Sequence, residues 1–255
     1  MKIGLTLSGG GTRGIGHIGL LKVLEEHNIK ISIVSGTSAG ALVGAMFANG
    51  YSASEILKIS KQVKLFDWNT LSIGSLGFLK MQTIEKFVQQ YLPKYFENLK
   101  LPFYACATDI IHNNEVFFHQ GNLHSAVLAS AAIPILYEPI QINNTYYVDG
   151  GVLNNLPIEP LLNQCDFLIA MHVNHLASNN TKITWKDIVE KSFTLSISQS
   201  VYLKKDKVNL FIDPPNMSKF NMFDNKNADE IYQYCYNYAK KLFSENKQLI
   251  EILPQ

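Results

Sequence analysis

Charge is scarce in this chain: Asp, Glu, Lys and Arg make up 17% of its 255 residues, against about one quarter in an average soluble protein. The apolar share is 47%, enough for a large core, which excludes the low-hydrophobicity, high-charge signature of disorder. Neither sign is in excess, because 22 basic and 21 acidic residues leave a net +1. No long-range field then draws the protein to nucleic acid or anionic lipid, and nucleic acid is not an expected partner.

Arginine is almost missing, and Arg13 is the single one among the 22 basic residues. Cysteine is sparse too. Cys106, Cys165 and Cys235 are odd in number, widely spaced and without a C-x-x-C pair, which argues against a disulfide framework or a zinc site and allows a reducing compartment. No run approaches the ~18 apolar residues of a spanning helix. The apolar run after Lys2 stops at Gly9, too short for a signal-peptide core. A soluble, cytoplasmic protein is expected. Length alone allows one large α/β domain or two small ones; without a repeat or a linker-like segment, a single domain over residues 1–255 is the simpler expectation.

What is present is a succession of short apolar strands and helices. Residues 2–8 read as a strand broken by glycines, 15–27 as a helix with Ile18, Leu21, Val23 and Leu24 at helical spacing, and 31–35 as a second strand. A small-residue helix follows to Gly50. Strands without polar alternation, separated by helices, predict a parallel sheet buried on both faces. Ser52 and Glu55 have capping-box spacing for a further helix. Later strands are expected at 103–108, 115–119, 167–173 and 208–212, with a hairpin over 137–148 that leads to Asp149. Helices are expected at 83–91, 125–132 (stopped by Pro134), 185–203 and from about 227. The stretch 65–81, with Leu65, Phe66, Trp68, Leu71, Ile73, Leu76, Phe78 and Leu79, is aperiodic and glycine-interrupted, as lids and binding loops often are; an equally simple reading is a loop covering the core.

Three constellations could carry chemistry. Gly9, Gly10, Gly11, Thr12, Arg13 and Gly14 follow a strand and open a helix, so backbone N–H groups there can face an anion. The spacing matches G-x-G-x-x-G. A dinucleotide site also needs an acid at the end of the second strand, and none occurs between Glu26 and Glu55. A P-loop needs Lys-Ser/Thr where Ile15-Gly16 stand. Gly36-Thr37-Ser38-Ala39-Gly40 has the G-x-S-x-G form between a strand and a helix, as a nucleophile elbow requires. Asp149-Gly150-Gly151 ends a strand and can deliver a carboxylate to the sheet edge, though D-G-G is also an ordinary turn. His172 would complete a Ser, Asp, His chain order, and His175 lies close behind it.

With these pieces in this order the chain resembles the patatin-like phospholipase family, specifically its small bacterial members. Residues 129–134 (ASAAIP) resemble the family's small-residue block ending in proline. The motifs cover residues 3 to about 160. The resemblance implies a three-layer α/β/α sandwich with a mainly parallel central sheet. It implies hydrolysis of phospholipid or other fatty acyl esters, with no cofactor or metal for the chemistry. It assigns Ser38 as nucleophile and Asp149 as base of a dyad, with oxyanion donors in the backbone of Gly10 and Gly11, Arg13 nearby, Gly36 and Gly40 shaping the elbow, and Gly150 and Gly151 completing the DGG motif. Contact with a membrane surface through 65–81 is a further expectation. Two alternatives stay open: a Ser-His-Asp carboxylesterase of the α/β-hydrolase type, and a non-catalytic lipid sensor that retains the pocket.

Overall fold

The computed structural model describes residues 1–62, 81–134, 136–176, 185–222 and 225–246. The segment 65–81 therefore lies outside the described residues apart from Met81, which is buried. The strands are β1 (Ile3–Leu7), β2 (Ile33–Thr37), β3 (Phe103–Asp109), β4 (Asn114–Phe118), β5 (Ile140–Ile142), β6 (Thr145–Asp149), β7 (Phe167–Met171) and β8 (Leu210–Ile212). The helices are α1 (Ile15–Glu26), α2 (Ala39–Ala48), α3 (Ala53–Gln62), α4 (Gln82–Tyr91), α5 (Leu123–Ser130), α6 (Trp185–Tyr202) and α7 (Ala228–Glu245).

All these strands join one mixed sheet. Its core is parallel in the order β3-β2-β1-β7-β8, while β4, β5 and β6 add antiparallel pairings at the β3 end. Every residue of β1, β2 and β7 is buried, which explains why their sequences run apolar without alternation. Successive side chains still serve opposite faces. Leu5, Leu7, Val34, Ile169 and Met171 pack into the larger core with α1, α2, α5 and α7, whereas Ile33, Leu168 and Ala170 meet Leu156, Ile158, Leu161 and Val201 of α6. The expected α/β class with helices on both faces is thus the observed one. The two helical layers are unequal, because one face is covered largely by α6 and the irregular chain around 156–161.

The ends of the elements follow local chemistry. Glu55 accepts from both the N–H and the hydroxyl of Ser52, closing the capping box at α3. Asn122 caps α5 by accepting from the Ser125 N–H. In the hairpin β5–β6, Asn143 supplies a positive φ at the turn. Helix α5 ends at Ser130, short of Pro134.

One feature of the register decides where chemistry can occur. Strand β3 is long enough to serve two partners along one edge. On that edge Thr37, the last residue of β2, pairs with Cys106, and Asp149, the last residue of β6, pairs with the next residue, Ala107. The opposite edge of the same two β3 residues is taken by Phe117 and Val116 of β4. Strands β2 and β6 approach from opposite directions, so their C-terminal ends meet head to head.

The crossing of α2 over the end of β1 is tight. A Cβ on Gly40 would stand 2.2 Å from the Leu7 carbonyl oxygen, a backbone atom that cannot yield. On Gly44, further along α2, it would meet only side-chain atoms, the nearest at 3.1 Å. Gly40→Ala should therefore cost on the order of 3 kcal/mol by overpacking. Gly44→Ala should be near neutral, because about 0.5–1 kcal/mol of helix propensity offsets a small side-chain shift. Urea unfolding of both variants checks this, and equal costs would contradict the tight crossing.

Candidate active site

Ser38 sits between β2 and α2 with φ 54° and ψ −120°, a conformation that strains any residue with a Cβ. Neighbouring glycines make the turn possible. A Cβ on Gly36 would meet the Gly40 carbonyl oxygen at 2.4 Å, so β2 and the first turn of α2 fold back on each other only without side chains there. The strained peptide is held by Ser130 at the end of α5, whose hydroxyl accepts the Ser38 N–H at 2.9 Å. The small-residue block 129–134 is legible in the sequence as a motif, but nothing within it distinguishes Ser130 from its neighbours. Its use becomes visible only when α5 is packed against the elbow.

Asp149 arrives from the other side. Its N–H donates to the Ala132 carbonyl at 2.8 Å, so the same short turn after α5 holds both Ser38 and Asp149. Oδ1 accepts from the Gly151 N–H at 2.7 Å. Oδ2 is buried with no closed hydrogen bond among the described residues, although the Ser38 hydroxyl is near enough to favour the ionised form. Burial dominates, and pushes the carboxyl up to about 7, against the partial relief from Ser38 and Gly151. A carboxylate of this kind can accept a proton near neutral pH, which an ordinary aspartate does weakly.

The glycine turn lies alongside. Its outer amides are occupied: Ser8 N–H donates to Met171, Gly9 to Asn155, Thr12 to Met222 and Arg13 to Gly10. Among the described residues no acceptor takes the N–H of Gly10 or Gly11. These are the two amides that the resemblance implied as oxyanion donors, and they sit at the start of a helical turn, where an anion is favoured. Gly9 and Gly14 serve packing: a Cβ on Gly14 would strike Ala39 of the elbow at 2.4 Å. The side chains of Asn155 and Asn174 donate to the Gly9 carbonyl, at 3.5 Å and 2.7 Å. Neither asparagine carries a motif that sequence reasoning could have flagged.

Arg13 points inward. It is 4% exposed, and its guanidinium is bonded to Phe220, Asn174 and Glu190. His172 is wholly buried between Tyr202 and Phe211, with Nε2 3.5 Å from the Ser198 hydroxyl and Nδ1 without a partner among the described residues. Desolvation lowers its pKa to about 4, so it is neutral at physiological pH. His175 pairs with Asp213 at 2.8 Å. Among the described residues neither histidine bonds to Ser38 or Asp149. No group of three or more His, Cys, Asp or Glu able to hold a metal ion occurs among them, and no helix there is long and apolar enough to cross a membrane.

The family model described as Patatin-like phospholipase matches residues 5–162. A lysophospholipase NTE1 of Cryptococcus neoformans is 34% identical over 170 residues, which are 63% of this chain and 10% of that protein. An NTE family protein of Mycobacterium tuberculosis is 32% identical over 181 residues, 68% of this chain and 49% of its own. The chain thus spans a tenth to a half of the length of these relatives. Among solved structures, VipD from Legionella pneumophila superposes with a TM-score of 0.54 at 14% identity, covering 96% of this chain and 67% of that one, a likeness of fold.

The raised pKa of Asp149 has a consequence for stability. Below about pH 4 the carboxyl is neutral both folded and unfolded. Between about 4 and 7 the unfolded chain gives up this proton while the folded protein retains it, so stability falls through that window. Asp149→Asn keeps an acceptor for Gly151 and removes the buried charge. The variant should exceed the wild type by on the order of 3 kcal/mol at pH 8, converging toward it near pH 4. Urea unfolding at both pH values measures this, and a pH-independent difference would refute the buried, proton-holding carboxyl.

Proposed function

Because the chain belongs to the patatin-like phospholipase family, we propose that it is a lipid acyl hydrolase that cleaves fatty acyl esters, phospholipids among them, through Ser38 and Asp149. The observation that carries this reading is the buried Asp149 carboxyl beside Ser38, with the untaken amides of Gly10 and Gly11 in the adjoining turn.

The steps follow from that arrangement. Asp149, ionised in a substantial fraction of molecules at neutral pH, accepts the hydroxyl proton of Ser38 as Oγ attacks the ester carbonyl. Negative charge moves to the carbonyl oxygen, where the Gly10 and Gly11 amides and the N-terminal end of α2 stabilise it. Collapse expels the alcohol, which takes the proton back from the Asp149 carboxylic acid and leaves an acyl ester on Ser38. Water then enters, gives a proton to Asp149 and attacks the acyl carbon; the second collapse returns the proton to Ser38 and frees the fatty acid.

The α/β-hydrolase alternative would need an imidazole between serine and aspartate. His172 and His175 are engaged elsewhere, as described above, and the carboxyl itself adjoins the serine.

Turnover of a graded set of acyl esters and phospholipids by wild type, Ser38→Ala, Asp149→Asn and His172→Asn tests the reading. Ser38→Ala and Asp149→Asn should each lose roughly 10³-fold or more in kcat, as nucleophile and base substitutions do. His172→Asn should retain most activity. In the wild type kcat should rise with pH to a plateau with a midpoint near 7, the value set by burial of Asp149. Loss with the histidine variant and retention with Asp149→Asn would favour the Ser-His-Asp alternative. A wild type that neither turns over nor reacts at Ser38 with a fluorophosphonate would favour a lipid sensor.

A further inference from the structure

Arg13 lies within the glycine turn, yet its fork is spent on three separate segments of the chain. Nε donates to the Phe220 carbonyl at 2.8 Å, Nη1 to Asn174 Oδ1 at 3.3 Å and Nη2 to Glu190 Oε1 at 2.8 Å. The same Glu190 oxygen also accepts the Met222 N–H at 3.1 Å. Met222 in turn receives the Thr12 N–H on its carbonyl at 2.9 Å. That carbonyl also crowds Gly11: a Cβ there would stand 2.4 Å from it, at a residue whose φ is +55°. The circuit from Arg13 through Glu190 and Met222 back to Thr12 thus closes directly beside the two glycines, with the Met222 carbonyl against Gly11 and the Gly10 carbonyl accepting the Arg13 N–H.

We infer that Glu190, on α6, is a positioning residue that fixes the Gly10–Gly11 turn by holding Arg13 and Met222 with one carboxylate oxygen. The inference rests on the proposed function for the meaning of that turn, and adds a part that lies outside the family-matched residues 5–162. Arginine is required at position 13 because three donors must leave one side chain in a fixed fork, which an ammonium group on a flexible stem does not reproduce. This gives a reason for the one arginine in a chain that otherwise uses lysine. The pair is nearly enclosed, with side-chain exposures of 5% and 13%, so removing either partner leaves the other buried and unpaired. A displacement of the amides by a fraction of an ångström is enough to slow acylation, since near-attack geometry is demanding.

Three variants separate geometry from charge and from mere stability. Glu190→Ala removes both acceptor contacts and should lower kcat by about tenfold or more with KM little changed, the pattern of a lost transition-state contact. Glu190→Gln keeps an oxygen that can accept from both Arg13 and Met222, and should recover most of kcat. Val201→Ala, deep in the second core on the same helix, should lower the melting temperature without changing kcat. The midpoint of the pH profile, set by Asp149, should stay the same in all three. Adding Arg13→Lys to Glu190→Ala should cost less than the sum of the two single changes, because they share the Arg13–Glu190 contact. In every variant the rate of fluorophosphonate labelling at Ser38 should follow kcat. Hydrogen exchange at the Thr12 amide should quicken in Glu190→Ala and stay slow in Glu190→Gln. Wild-type kcat in Glu190→Ala, or a loss matched by Val201→Ala, would overturn the inference. If the wild type itself neither labels nor turns over, the proposed function fails; unchanged Thr12 exchange in Glu190→Ala would then overturn the positioning role separately, and faster exchange would uphold it.

Discussion

The register of β3 is the constraint on which the rest depends. Because its one edge pairs first with β2 and then with β6, two strands running toward each other end one residue apart, at Thr37 and Asp149. A parallel sheet normally presents all its strand ends at one edge as separate neighbours. Here an antiparallel strand inserted into the same column brings a second chain end against the first, and the buried carboxyl of Asp149 lies beside the hydroxyl of Ser38, the residue after Thr37. Burial of Asp149 at that junction is what raises its pKa.

Such an arrangement is costly, and the surroundings show what opposes the cost. A non-glycine residue at positive φ costs of order 1–3 kcal/mol, and the buried carboxyl resists ionisation. The turn after α5 restrains both: Ser130 takes the Ser38 amide and Ala132 takes that of Asp149. One rigid piece of backbone therefore references the two side chains to each other. Thr108 adds a bond from its hydroxyl to the Asp149 carbonyl, and Thr37 one to Asn154. Both threonine hydroxyls thus bond to backbone, as buried polar groups in an apolar sheet generally do.

The glycine turn is organised by a different logic. Its carbonyl and its outer amides are tied to Asn155, Asn174 and Met222, so the amides left over are the central two. Selection by elimination of this kind leaves no trace in local sequence, since Asn155, Asn174, Glu190 and Met222 come from widely separated points. Arg13 did leave a trace, as the lone arginine in a lysine-rich chain. What it holds could not be read from that fact.

Local sequence carries the elements and points to the candidate chemistry. Continuous apolar runs specified buried parallel strands, the Ser52–Glu55 spacing specified a helix start, and glycines flanking Ser38 specified an elbow, because each is a consequence of short-range sterics or periodicity. The first strand, the second strand and the helices after them lie within a few residues of where that reading put them. Only the tertiary structure decided that β6 joins the same edge of β3 as β2, that Asp149 is desolvated, and that His172 is shut into an aromatic pocket away from Ser38. Those outcomes depend on contacts between residues tens of positions apart or more, and burial, which governs the basicity of Asp149, is a property of the packed whole that no local stretch of sequence contains.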